Sequence, residues 1–266
     1  MSPVIGFVGT GNMGTAIIRG LTGRGGLEFC GTDLNRDKLA ELKRDCGLEP
    51  LATPNDVAER SDYIVLAVKP QHLRPVLQDM SGHLTEGKCL VSIAAGIPVA
   101  RLREWSRDAC PVVRVMPNTP ALVGAGVSAV CLDDPRLSEA QKRQVQELFT
   151  AVGAVHVLPE TLFDAFTAVI GSGPAYVFYF MEALVESAVY LGLPRAQATD
   201  MVLGLLTGSG KLAAEGGEHL SVLREMVTSP AGTTIRALVH MDRQAVRAAI
   251  IDAVEASYKR SIELGK

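Results

Sequence analysis

Val4-Ile5-Gly6-Phe7-Val8 runs straight into Gly9-Thr10-Gly11-Asn12-Met13-Gly14, and a stretch of helical periodicity follows. No other feature of the chain narrows its fold so far. A strand that turns through G-x-G-x-x-G into a helix uses each glycine for a separate purpose. Gly9 allows the tight turn, Gly11 lets the backbone approach a pyrophosphate, and Gly14 lets helix and strand pack closely. The diphosphate then rests on free amides at the positive end of the helix. The motif alone is weak, but at the head of an α/β half it predicts a dinucleotide site.

The rest of the first half supports that setting. Apolar runs at 27–32, 63–68, 89–93 and 112–116 alternate with helical patterns such as 13–22 and 36–45. Residues 127–132 and 154–158 offer two further strands. Continuously apolar strands separated by helices imply a parallel sheet covered on both faces. After about Glu160 strands give way to helical segments at 161–170, 175–191, 195–216 and 221–227, with a last helix ending near Leu264. The expected fold is therefore an α/β domain over 1–160 and an all-α domain over 161–266. Residues 165–181 carry no charge and are almost long enough to span a bilayer, but Gly171-Ser172-Gly173-Pro174 interrupts them. Two buried helices with a break are expected there. The segment 175–191 is apolar almost all round, through Val177, Phe178, Phe180, Met181, Leu184, Val185 and Val189. The helical half is too small to bury such a helix alone, so an intertwined homodimer is expected.

Composition excludes several classes of partner. The formal net charge is −3 with Lys and Arg scattered, which leaves no electrostatic footprint for nucleic acid or an anionic membrane. The five cysteines, Cys30, Cys46, Cys89, Cys110 and Cys131, are dispersed and form no C-x-x-C pair. They read as reduced, buried thiols in a reducing, cytoplasmic compartment. No signal-type leader is evident, and no His/Cys cluster has metal-ligand spacing.

Ligands of open α/β sheets bind beyond the carboxyl ends of the strands. Three further strand ends therefore bear on the site. Asp33, about twenty residues past the glycines, can bind a ribose 2′-hydroxyl and repel a 2′-phosphate, which favours NADH over NADPH; Arg36 nearby could still hold a phosphate. Lys69, in Ala67-Val68-Lys69-Pro70, could donate to cofactor or substrate, and the small Ala94 and Ala95 would let a nicotinamide ring lie close to the backbone.

In the helical half, Ser229-Pro230-Ala231-Gly232-Thr233-Thr234 reads as a helix start with Ser229 as N-cap and Pro230 in the first turn. Its unpartnered amides make a site for a small carboxylate. At this point the chain resembles the Δ1-pyrroline-5-carboxylate reductase family, from Val4 to about Ser257. The resemblance is carried by the glycine block, by Ala67-Val68-Lys69-Pro70-Gln71, by Met116-Pro117-Asn118-Thr119-Pro120, by Gly171-Ser172-Gly173-Pro174-Ala175-Tyr176, and above all by residues 229–238. It implies a Rossmann-type dinucleotide-binding domain followed by a helical dimerisation domain, with dimers able to assemble into a ring. It implies cofactor contacts at Val8, Gly9, Thr10, Gly11, Asn12 and Met13, at Asn55, at Ala67, Val68, Lys69 and Pro70, and at Ala94 and Ala95. It places the carboxylate of a cyclic imino acid on Gly232, Thr233 and Thr234, with the ring nitrogen near Thr234, while Glu218 matches a substrate-side position only loosely. Where many bacterial relatives carry Asn-Arg after the second strand, this chain has Asp33-Leu34.

The reaction so implied is hydride transfer from NADPH or NADH to the carbon of a C=N bond, with Thr234 orienting the nitrogen. A protonated imine is already electrophilic, so alignment and exclusion of water suffice and no His/Asp or Lys dyad is required. Three other readings compete, one of them a reductase of another small cyclic imine. A β-hydroxyacid dehydrogenase needs a lysine on the first helices of its second domain, and this chain has none between Lys142 and Lys211. A dinucleotide sensor would keep the glycine loop without needing the 229–234 block.

Overall fold

Apolar strands need cover on both faces, and the computed structural model, which describes residues 2–265, supplies it. The sheet is built from β1 (Val4–Val8), β2 (Glu28–Thr32), β3 (Glu49–Pro50), β4 (Tyr63–Leu66), β5 (Cys89–Ser92), β6 (Val112–Met116), β7 (Gly126–Cys131) and β8 (Gly153–Val157). Between them run α1 (Asn12–Leu21), α2 (Arg36–Cys46), α3 (Pro54–Arg60), α4 (Pro70–Met80), α5 (Val99–Trp105) and α6 (Glu139–Thr150). Alternate residues of each strand enter opposite cores, as the two-residue period of a strand requires. Ile5, Phe7, Val65, Val91 and Val113 join α1, α2 and α6 on one face. Val4, Val8, Ile64, Leu66 and Leu90 join α3, α4 and α5 on the other.

The strand order is β3-β2-β1-β4-β5-β6-β7-β8. The order therefore reverses between β1 and β4, which opens a crevice at their carboxyl ends. The sheet is not wholly parallel, as the apolar runs had suggested: β7 is antiparallel to β6, pairing Arg114 with Cys131, and β8 is parallel to β7. β3, two residues long, has no counterpart among the expected strands.

Contacts divide the chain into one unit of Met1–Ser172 with Tyr258–Lys266, and a second of Gly173–Ser257. The sheet-bearing unit runs beyond residue 160 because α7 (Phe163–Phe166) packs on β7 through Phe163, Phe166, Ala129 and Cys131. Arg114 fastens this segment twice. Its guanidinium lies 4.9 Å from the Phe163 ring centroid, and its Nη1 donates to Glu160 Oε1 at 3.0 Å.

The break around Pro174 is narrower than its glycines suggest. A π turn over Thr167–Gly171, closed by Ser172 N donating to Thr167 O, gives way after a bend at Ser172 to α8 (Gly173–Tyr190). In an α-helix the Ile170 carbonyl would accept from residue 174, but that residue is proline and has no N–H. Asn118 fills the place: its Nδ2 donates to Ile170 O at 3.2 Å while its Oδ1 accepts from Val127 N at 2.8 Å. Asn118 is buried, so Asn118→Leu strands both backbone groups and should cost about 2–4 kcal/mol in urea unfolding. A loss below 1 kcal/mol would show that those groups find other partners.

The second unit comprises α8, α9 (Arg195–Glu215), α10 (Leu220–Met226), α11 (Thr233–Arg243) and the first part of α12 (Val246–Leu264). Here the expectation of buried helices fails within the chain: no residue of α8 is buried, and Phe178 and Tyr179 are 61% and 77% exposed. Met201, Leu203 and Leu205 of α9 are exposed as well. By length and composition alone the helical run Glu160–Tyr190 could cross a membrane. An apolar surface of this extent marks an interaction face.

Candidate functional site

The carboxyl ends of β1, β2, β4 and β5 are aligned by their ladders, which pair Val8 with Thr32, Val8 with Leu66, and Leu66 with Ser92. Every cofactor residue expected from the sequence lies at or just after one of these ends, except Asn55, which lies in α3 after β3. Gly9 has φ +93, a conformation that favours glycine, and a Cβ there would stand 2.9 Å from the Ala67 carbonyl carbon and 3.0 Å from Val68 N. The loop after β1 is thus pressed onto the end of β4, where Ala67 and Val68 are half-buried. Gly14 is needed for the same reason, since a Cβ would come within 2.7 Å of Gly9 O. Gly11 differs: the space its Cβ would fill is open. It is the N-cap of α1 and supplies no side-chain cap, so the first amides of α1, at Asn12 and Met13, line an open cradle. A dinucleotide diphosphate fits that cradle.

Around it, Lys69 is exposed and caps α4, with Pro70 in the first helical position. Ala94 is buried, its amide donating to Ser92 Oγ at 3.3 Å, and Ala95 is exposed. Among the described residues, buried Asn55 Oδ1 has no hydrogen-bond partner.

Asp33 does something the sequence did not signal. Its Oδ2 accepts from Thr10 N at 2.5 Å and from Thr10 Oγ1 at 3.1 Å, and its Oδ1 accepts from Asn35 N at 2.9 Å. Burial pushes the carboxyl up, but the amides of Asn35, Thr10 and Leu34 and the Thr10 hydroxyl outweigh it and hold the group below its ordinary value. The carboxylate expected to face a ribose is engaged by the glycine loop.

In the second unit, α11 begins later than the sequence suggests. Its N-cap is Gly232, at φ −73 and ψ 179, and Thr233 is its first residue. Ser229 and Pro230 lie in a turn closed by Gly232 N donating to Ser229 O, with Ala231 left-handed at φ 60. Proline after serine suits a turn as well as a first helical turn, so the helix waits for Gly232. A glycine cap offers no side-chain oxygen, so the amides of Thr233 and Thr234 stay uncapped. Thr234 is half-buried in that first turn. Glu218 is exposed on the turn between α9 and α10, and no hydrogen bond joins it to residues 229–234 among the described residues.

Comparison with known proteins agrees with both units. A family model for pyrroline-5-carboxylate reductase dimerisation matches residues 160–264, and one for NADP oxidoreductase, coenzyme F420-dependent, matches residues 4–96. The chain is 38% identical to the pyrroline-5-carboxylate reductase of Methanosarcina acetivorans over 98% of each protein. It matches the solved pyrroline-5-carboxylate reductase of Coxiella burnetii with TM-score 0.92 and 33% identity over 100% of both chains. The Plasmodium falciparum pyrroline carboxylate reductase, solved with NADP bound, matches with TM-score 0.89 and 29% identity, covering 99% of this chain and 98% of that one. With the glycine cradle, the uncapped start of α11 and full-length identity in agreement, the chain belongs to the pyrroline-5-carboxylate reductase family.

Proposed function

We propose that the protein reduces Δ1-pyrroline-5-carboxylate to L-proline with NADPH or NADH; its relatives are named pyrroline-5-carboxylate reductases. The observation that carries the reading is the start of α11, where Gly232 caps without an oxygen and leaves the Thr233 and Thr234 amides for a small carboxylate. In this reading the reduced nicotinamide, when bound, supplies the hydride to the ring C=N carbon. The protonated imine nitrogen keeps its proton and takes back the π pair, and the resulting amine gains a second proton from solvent. The chain's own contribution is geometric. Gly9, Gly11 and the α1 amides hold the diphosphate, Ala94 and Ala95 leave room for a flat ring, and the Thr234 hydroxyl accepts from the ring N–H and fixes its direction. Ser229 supports the loop, and Glu218 is a peripheral substrate-side residue.

The exposed faces of α8 and α9 favour a homodimer in which a second copy covers Phe178, Tyr179 and Met201, and dimers of this kind can close into a ring. All five cysteines are free, which suits a reducing cytoplasm. The test is loss of reduced-nicotinamide absorbance on adding racemic Δ1-pyrroline-5-carboxylate, with NADH and NADPH in parallel. Turnover with either is expected. No turnover from folded protein that binds cofactor would overturn the assignment.

A further inference from the structure

Asp33 sits where an acidic residue ordinarily reads the adenosine ribose, yet its carboxylate points its bonding capacity back into the protein. An ionised carboxylate offers about four acceptor positions. Thr10 N and Thr10 Oγ1 take Oδ2 and Asn35 N takes Oδ1, so three of these positions are used within the protein. At most one position is left for a ribose hydroxyl. The partners are also informative. Thr10 is almost wholly buried, and its carbonyl accepts from Thr15 Oγ1 at 2.8 Å inside α1. Asp33, Thr10 and Thr15 thus form a continuous chain of hydrogen bonds from the end of β2, through the glycine loop, into the first turns of the helix. Between Thr10 and that helix lies Gly11, the open position of the cradle.

We propose that Asp33 is a positioning residue that latches the glycine loop through Thr10, and that it does not discriminate NADH from NADPH. The proposal rests on the dinucleotide reading of the cradle. The latch fixes Thr10, hence the direction of the Gly11 and Asn12 amides on which either diphosphate rests, and the two cofactors are identical at that point. Charge at the adenosine end is not set by Asp33 alone. Arg36 is exposed, and among the described residues its guanidinium makes only long contacts, at 3.5 and 3.4 Å, with the carbonyls of Leu51 and Ala52. It can turn toward a phosphate at little cost.

The experiment compares Asp33→Ala and Asp33→Asn with the parent by fluorescence titration of NADH and of NADPH, with the melting temperature of each protein recorded. Parent protein that binds neither cofactor would sink the dinucleotide reading itself, before any variant is considered. A latch predicts that Asp33→Ala weakens both cofactors in parallel, by about 10-fold, with their affinity ratio unchanged within about 2-fold. Asp33→Asn keeps an oxygen for Thr10 N and should recover part of the loss for both, a rescue that general destabilisation would not give. A discriminator predicts the opposite pattern, in which either variant raises NADPH affinity relative to NADH by about 10-fold or more. That shift, or undiminished binding of both cofactors by Asp33→Ala, would overturn the proposal. If Asp33→Ala fails to fold, the ratio measured on Asp33→Asn decides alone.

Discussion

Gly232→Val is expected to raise the KM for Δ1-pyrroline-5-carboxylate about 100-fold while leaving dinucleotide affinity unchanged. The effect comes from space. Gly232 has φ −73, which any residue can adopt, so the substitution brings no left-handed strain. A Cβ at this position collides with Ser229 Oγ and comes within 3.2 Å of Ser229 O. The serine hydroxyl must rotate away, and the two branched carbons of valine then crowd the Thr233 and Thr234 amides. A small carboxylate bound by uncapped amides depends on their direction, so displacement of about 1 Å costs most of the alignment. Gly232→Ala should show a smaller loss of the same kind. The loop is exposed or half-buried, so the melting temperature should hardly move. Steady-state kinetics beside a cofactor titration decide the matter. Unchanged KM with intact cofactor binding would remove the α11 start from the substrate site.

The pattern of what the sequence disclosed has physical reasons. Strands β1, β4, β5 and β6 were legible because burial on both faces leaves uninterrupted apolar runs, and the glycine loop because its backbone tolerates few other residues. Strand direction was not legible, since an apolar run such as 127–132 looks the same whether it enters the sheet parallel or antiparallel. β3 is two residues of Glu49 and Pro50, without the hydrophobicity that marks a strand. The start of α11 was misread because Ser229-Pro230 suits a cap and a turn equally, and only the left-handed Ala231 distinguishes them. The roles of Asp33 and Asn118 depend on partners 23 and 52 residues away in the chain, Thr10 and Ile170. Such pairings have no local periodicity to betray them. The apolar breadth of α8 signalled a surface for a second copy, but the burial expected on either side of Pro174 fails within the chain, because the second unit is too small to cover that helix.

Asp134 is another residue of this hidden kind, and Asp134→Asn should be the most destabilising polar substitution in the sheet-bearing unit. Its side chain is 0% exposed, and its Oδ2 lies 2.9 Å from Arg103 Nη2 and 3.1 Å from Arg136 Nη2. It also accepts from Val112 N at 3.0 Å and from Arg136 N at 3.0 Å. Arg136 in turn reaches the carbonyls of Asp108 and Cys110, so one carboxylate ties together the approach to β6 and the exit of β7. Burial would push the Asp134 carboxyl up, but bonds from Arg136 and Arg103 and the two amides hold it far below the ordinary carboxylate range. Replacing it by the neutral isostere leaves the two guanidiniums with only the exposed Asp108 as counter-charge, and breaking a buried pair of this kind typically costs about 3–5 kcal/mol. The pH dependence follows from the direction of the shift. A carboxyl with a depressed folded pKa contributes its full stability above the unfolded value, near about 4, and loses it as pH falls toward the folded value. The stability gap between parent and Asp134→Asn should therefore be constant near neutrality and narrow progressively below about pH 4. Val112 is the first residue of β6, so the network lies at the amino ends of the parallel strands, opposite the glycine loop. Cofactor affinity of the folded variant should accordingly match the parent at low temperature. Urea unfolding at several pH values tests both statements, and a gap that widens on acidification would show that Asp134 is not the group whose charge stabilises this edge.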